Sequence, residues 1–128
     1  MSLSIRILII DDNQDIVLML KTMLQLKGYV AEVKTNVHQL EEYLQQSRPD
    51  LILMDMLLSG ADGRKVCANL KRNIEFATIP VLMISAHPTA KEECLKSGAD
   101  FFLAKPFDMH NLLSAIDSIL HNNAQNVN

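Results

Sequence analysis

Ile5–Asp12 reads Ile-Arg-Ile-Leu-Ile-Ile-Asp-Asp, and its reading decides the fold. An almost continuous β-branched run of this kind reads as a strand buried on both faces. Such strands belong to parallel sheets covered by helices on each side. The run stops at Asp11-Asp12-Asn13, which are cap and turn residues. Beyond it, Ile16, Met19, Leu20, Met23, Leu24 and Leu26 recur at helical spacing, and Gly28 supplies the stop.

The same unit recurs along the chain. Tyr29–Val33 (YVAEV) is a second short strand. Asn36 reads as the cap of a second helix, with Val37, Leu40, Tyr43 and Leu44 inward and Pro49 beyond its end. Leu51–Met54 (LILM) is a third buried strand, ending at Asp55. The stretch MLLSGAD reads as a loop leading to Gly63 and a helix that carries Val66, Leu70 and Ile74. Pro80 opens a fourth strand, Val81–Ile84, which ends at Ser85. Thr89 starts a short helix that stops near Gly98. Phe101–Ala104 (FFLA) is the fifth strand, ending at Lys105-Pro106. Asp108 caps the last helix, with Leu112, Leu113, Ile116, Ile119 and Leu120 on its apolar face. Strict β–α alternation predicts an α/β fold: a doubly wound, five-stranded parallel sheet with right-handed crossovers. One domain is expected over residues 1–121, followed by a polar tail without a packing face over 122–128.

Composition narrows the function. Hydrophobic residues are 48% and charged residues 21% of the 128, which excludes disorder, collagen and coiled coil as the main class. Twelve basic against fifteen acidic side chains give −3, which argues against an electrostatic nucleic-acid footprint. Aromatics are only 5% with no Trp, so base-stacking platforms are not expected either. Cys67 and Cys94 have no metal-site spacing and read as two reduced, partly buried thiols. No apolar run approaches the roughly 20 residues of a membrane span, and no signal-peptide pattern opens the chain. The expectation is a cytoplasmic chain with neither membrane nor nucleic acid as a direct partner.

The informative positions are those where strands stop. In an open parallel sheet all C-terminal strand ends lie on one edge, and ligands bind there at the topological switch point. Asp11, Asp12, Asp55, Ser85 and Lys105 should therefore converge. Three carboxylates at close range repel, and one takes up a proton unless a cation sits among them. Lys105 balances one of them. Oxygen-only ligands suit Mg²⁺ for the rest. Asp11 and Asp12 would hold the ion. Asp55 would share it and act as a nucleophile, as carboxylates do in aspartyl-phosphate chemistry. Lys105 and Ser85 would meet phosphoryl oxygens. Any one of these residues alone reads as a cap, turn or loop residue; the conjunction carries the signal.

At these residues the chain resembles the receiver domain of two-component response regulators, of the CheY-like, flavodoxin-like type. The resemblance covers roughly residues 5–121. It rests on Asp11-Asp12 after the first strand, Asp55 after LILM, Asp62-Gly63, Ser85-Ala86 after VLMI, and the run Ala99–Phe107. It implies that Asp55 accepts a phosphoryl group from a phosphohistidine on a histidine kinase or a histidine phosphotransfer protein. It implies that Asp12 binds Mg²⁺ directly and Asp11 mainly through water, with the backbone carbonyl of Leu57 as a further ligand. Lys105 pairs with the phosphoryl group or Asp55, Ser85 is the switch hydroxyl and Phe102 the switch aromatic. A cis Lys105–Pro106 bond is implied as well. The face built by the fourth helix, fifth strand and fifth helix would change on phosphorylation and serve a partner or a homodimer. The family usually has Pro four residues after the acceptor; here Ser59 stands there, followed by Gly60.

Three other readings have identifiable requirements. A haloacid-dehalogenase-type phosphatase needs a second Asp two residues after the nucleophile, where this chain has Leu57. An FMN carrier needs a Ser/Thr-rich phosphate loop after the first strand, where Asp11-Asp12-Asn13-Gln14-Asp15 would repel phosphate. A receiver-shaped interaction module that is never phosphorylated is opposed by the complete acidic set.

Overall fold

The computed structural model describes residues 4–87 and 89–125. The chain runs β1 (Arg6–Ile10), α1 (Gln14–Leu26), β2 (Val30–Lys34), α2 (Leu40–Ser47), β3 (Leu51–Asp55), β4 (Leu57–Leu58), β5 (Ala61–Asp62), α3 (Gly63–Arg72), β6 (Val81–Ser85), α4 (Ala90–Lys96), β7 (Phe101–Ala104) and α5 (Met109–Gln125). Five strands form one sheet in the order β2-β1-β3-β6-β7, and every neighbouring pair is parallel. The doubly wound α/β fold expected from the alternation is the one observed. The chain leaves β1 for β2 on one side and returns to β3 on the other, so the switch point lies between β1 and β3.

Packing follows from the period of two along each strand. Leu8, Ile10, Ile52, Met54, Val81 and Met83 pack toward Leu40 and Leu44 of α2, Cys67 and Leu70 of α3, and Cys94 of α4. Ile7, Ile9, Leu51, Leu53, Leu82 and Ile84 pack toward Leu20 and Leu24 of α1 and Leu112 and Ile116 of α5. Each such side chain contributes about 1.5–3 kcal/mol by leaving water. This explains why these strands read as continuous apolar runs. The register aligns the strand ends: Ile10 pairs with Met54, Asp55 with Ile84 and Ser85 with Ala104. Asp11, Asp55, Ser85 and Lys105 consequently arrive at one edge.

Several local expectations need correction. Helix α2 begins at Leu40, because the Asn36 side chain accepts the His38 amide (2.9 Å) in a local turn rather than capping a helix. Gln39 enters α2 in a left-handed conformation, φ 54°, without a side-chain cap. Ile74 is not on a core face: α3 ends at Arg72, Asn73 is extended, Ile74 is 94% exposed and Phe76 fills the core instead. Leu26, at the last position of α1, is also exposed. The stretch after Asp55 is not a simple loop but an antiparallel hairpin, β4–β5, turning at Ser59-Gly60. Both cysteines are free, and they are buried completely rather than partly. Helix α5 continues to Gln125, into the segment read as a tail, while residues 126–128 lie outside the described residues.

A polar cluster fastens the sheet's outer strand to α2. Glu32 accepts from Arg6 Nε (2.9 Å), from the Tyr43 hydroxyl (2.7 Å) and from Ser47 Oγ. Burial alone would raise the Glu32 carboxyl, but the hydrogen bonds from Ser47, Tyr43 and Arg6 outweigh it and hold it below its ordinary value. A depressed carboxyl stabilises the fold above its unfolded-state pKa, and that stability is lost as pH falls through the folded value. Glu32→Ala should therefore cost about 2 kcal/mol in urea unfolding at neutral pH. The gap to wild type should narrow in acid.

Candidate functional site

Asn13, not the acidic pair, caps α1: its Oδ1 accepts from the Asp15 and Ile16 amides at 3.0 and 3.1 Å. Asp11 and Asp12 are thereby released from capping. Asp11 is only 2% exposed, and its Oδ1 accepts from the Asn13 amide at 2.9 Å. Asp12 Oδ2 accepts from the Ser59 amide at 2.8 Å, which ties the end of β1 to the β4–β5 hairpin. Asp55 closes β3. Asp11, Asp12 and Asp55 each offer a carboxylate oxygen, and these atoms lie within 4.8 Å of one another. Hard oxygen donors at this spacing fit a small divalent cation such as Mg²⁺.

The electrostatics of Asp55 reflect this crowding. Burial pushes its carboxyl up, Lys105 pulls it down, and Asp11 and Asp12 push it up further; the net direction is upward. Lys105 Nζ stands 3.4 Å from Asp55 Oδ1, an ion pair at the long edge of hydrogen bonding. The Lys105 amide donates to the Ser85 carbonyl (2.9 Å), and the Lys105–Pro106 bond is cis. Asp12 is held below its ordinary value by the side chain and amide of Ser59, against a small opposing effect of burial.

Gly63 lies against the site for a reason the sequence does not display. A Cβ there would lie 2.6 Å from the Asp55 carbonyl oxygen and 3.0 Å from that of Met56. Its amide donates to the Met56 carbonyl at 2.7 Å. Helix α3, capped by Asp62 through the Arg64 amide (2.9 Å), thus starts hard against the backbone of the nucleophile candidate. The only sequence signal is the adjacent Asp62-Gly63, which also suits an ordinary helix start.

On the other side, Asp55, Leu57, Ser85, Ala86, His87 and Lys105 line one open cleft. Ser85 is 4% exposed, and its Oγ accepts from the His87 amide at 3.0 Å. Leu57 is exposed beside it. Phe102 is not in this cleft: it sits on β7 beside Met83, half-buried against the α2–α4 side of the core. Five expected side chains therefore converge (Asp11, Asp12, Asp55, Ser85, Lys105), with Leu57 at the rim and Phe102 one strand away.

Residues 7–117 match the response regulator receiver domain. The chain is 36% identical over 117 residues to the DNA-binding dual master transcriptional regulator RpaA of Synechocystis sp., covering 90% of this chain and 48% of that protein. It is 33% identical to the phosphate regulon transcriptional regulatory protein PhoB of Pseudomonas aeruginosa, covering 89% and 51%. The chain thus spans about half the length of the curated relatives it matches. Among solved structures, the signal receiver domain of a signal transduction histidine kinase from Syntrophus aciditrophicus superposes with TM-score 0.84 at 32% identity, covering 93% and 92%. The receiver domain of a sensor histidine kinase of P. aeruginosa PAO1, with a magnesium ion coordinated in its active site cleft, has TM-score 0.84 at 25% identity, covering 93% and 99%.

The raised carboxyl of Asp55 has a thermodynamic consequence. An acid whose folded pKa exceeds its unfolded one lowers stability as pH rises through that window, and the deficit persists above it. Asp55→Asn should therefore raise the melting temperature at pH 7 in EDTA. The difference should shrink in acid, where Asp55 is protonated in both states.

Proposed function

Because the chain belongs to the response regulator receiver domain family, we propose that it works as a phosphoacceptor, with Asp55 taking a phosphoryl group from a phosphohistidine of a histidine kinase or histidine phosphotransfer protein. The observation that carries this reading is the meeting of Asp11, Asp12 and Asp55 within 4.8 Å, with Lys105 on Asp55. A carboxylate oxygen of Asp55 attacks phosphorus, the bond from phosphorus to the donor imidazole nitrogen breaks, and the leaving imidazole recovers a proton. Asp11, Asp12 and Asp55, with the Leu57 carbonyl, would hold Mg²⁺, which supplies positive charge against the phosphoryl oxygens. Lys105 meets one of those oxygens as a point charge.

The readout follows from Ser85. A phosphoryl oxygen on Asp55 draws the Ser85 hydroxyl into a charge-assisted hydrogen bond. That hydroxyl oxygen now accepts the His87 amide (3.0 Å), so moving it moves the loop between β6 and α4. The half-buried Phe102 ring can follow into the space behind Ser85. This is a two-state element biased by one local charge. The α4–β7–α5 face, where Leu95 and Phe101 are exposed, would then engage a partner or a second copy. No helix among the described residues is long and apolar enough to cross a membrane. A cytoplasmic setting beside a kinase suits this role, with the receiver unit taking in α5 to its end at Gln125.

Intact-mass measurement with acetyl phosphate and Mg²⁺ tests the acceptor. One phosphoryl group should be gained by wild type, none by Asp55→Asn, and none by wild type in EDTA; equal incorporation in the Asn variant would rule Asp55 out. The switch has its own test. Ser85→Ala should keep phosphate uptake but lose most of the beryllofluoride-induced NMR shifts on the α4–β7–α5 face. Undiminished shifts there would exclude a coupling through Ser85.

A further inference from the structure

Residue 59 differs from the family's usual Pro in one chemical respect that the site uses. Proline has no backbone N–H, whereas the Ser59 amide donates to Asp12 Oδ2 at 2.8 Å. Ser59 sits at the turn of the β4–β5 hairpin, whose register pairs Leu58 with Ala61 and Leu57 with Asp62. Gly60 follows with φ 76°, the value a type II turn requires at its second central residue. The same hairpin carries the Leu57 carbonyl. One hydrogen bond thus joins the strand end that bears Asp12 to the segment that bears Leu57. It also restrains the Asp12 carboxylate, one oxygen of which lies within 4.8 Å of oxygens of Asp11 and Asp55.

We propose that the Ser59 amide is a positioning donor for the cation site, fixing the Asp12 carboxylate and the β4–β5 hairpin in the arrangement that binds a divalent ion. This rests on the reading of Asp11, Asp12 and Asp55 as the cation ligands. The physical basis is general: groups that hydrogen-bond a ligating carboxylate orient it, and their loss typically weakens metal binding 10- to 100-fold. Ser59-Gly60 lets the turn rotate more than Pro-Gly would, and the amide bond to Asp12 restores the lost order by a donor that Pro cannot supply. The amide is placed by the hairpin backbone itself, whereas the hydroxyl, which also bears on the Asp12 carboxylate, is placed by its side-chain rotamer.

Two substitutions separate the amide from the hydroxyl. Ser59→Pro fits the first central position of a type II turn and follows Leu58, an extended residue as the position before Pro prefers, so it removes the donor without opposing the turn. Ser59→Ala keeps the donor and removes the hydroxyl. Mg²⁺ titrations of the phosphate-free protein, followed by amide NMR shifts, should show affinity about tenfold weaker in Ser59→Pro and within about threefold of wild type in Ser59→Ala. Hydrogen exchange of the Ser59 amide in wild type should slow on adding Mg²⁺, as the bond to Asp12 becomes part of a rigid chelate. Affinity in Ser59→Pro equal to or tighter than wild type, or faster Ser59 exchange with Mg²⁺, would overturn the inference. Asp12→Ala serves as the control for the underlying reading. If it binds Mg²⁺ as wild type does, the cation site itself is misassigned; if it loses binding while Ser59→Pro does not, only the role of Ser59 fails.

Discussion

Mutual repulsion among Asp11, Asp12 and Asp55 is the constraint on which the site depends. Parallel pairing of β1 with β3, in a register that sets Ile10 beside Met54, delivers these acids to one place. Asp11 is buried and Asp12 and Asp55 are partly buried, so water screens them poorly. Lys105 is the sole cation paired with Asp55 among the described residues, and it stands 3.4 Å away. The cluster therefore carries an excess of negative charge that the fold tolerates rather than neutralises. A divalent cation is the species whose charge would suit what remains, and with it and Lys105 the site could take the added negative charge of a phosphoryl group.

The rest of the architecture makes such a cluster sustainable. Two apolar layers flank the sheet and supply the stability that the site lacks. Gly63 lets α3 begin against the Asp55 backbone, which fixes the nucleophile candidate from behind. Asn13 takes over the capping of α1, so neither neighbouring acid is spent on the helix. Ser85 closes the circuit: its carbonyl holds the Lys105 amide while its hydroxyl holds the loop toward α4. One residue thus holds both the backbone of Lys105, the ion-pair partner of Asp55, and the start of that loop.

The fold and the five converging side chains were legible because their signals are local. An apolar run of four to six residues that ends in Asp, Ser or Lys reports both a buried strand and its functional end. Ile74 and Leu26 misled because helical spacing continues in the sequence after the backbone has stopped following it; Asn73 turns the chain, and Phe76 takes the core site. Asn36 misled because an Asx turn uses the same side chain as a helix cap. Two features were not legible at all. The Glu32–Arg6–Tyr43–Ser47 cluster and the Ser59–Asp12 bond join residues distant in sequence, through backbone atoms or through side chains whose types are ordinary on any surface. The approach of Gly63 to Asp55 left only the ambiguous Asp62-Gly63 pair as its signal.

The central claim, that the strand-end acids form a repulsive cluster built to be relieved by a hard divalent cation, is tested most directly by thermal unfolding against MgCl₂, with NaCl at matched ionic strength as reference. Binding to the native state alone raises stability with the logarithm of ligand concentration above Kd. The melting temperature of wild type should rise with Mg²⁺ and not with NaCl, and the rise should vanish when Asp12 and Asp55 are both replaced by Asn. A melting temperature indifferent to Mg²⁺, or one that rises equally in the doubly substituted protein, would contradict it.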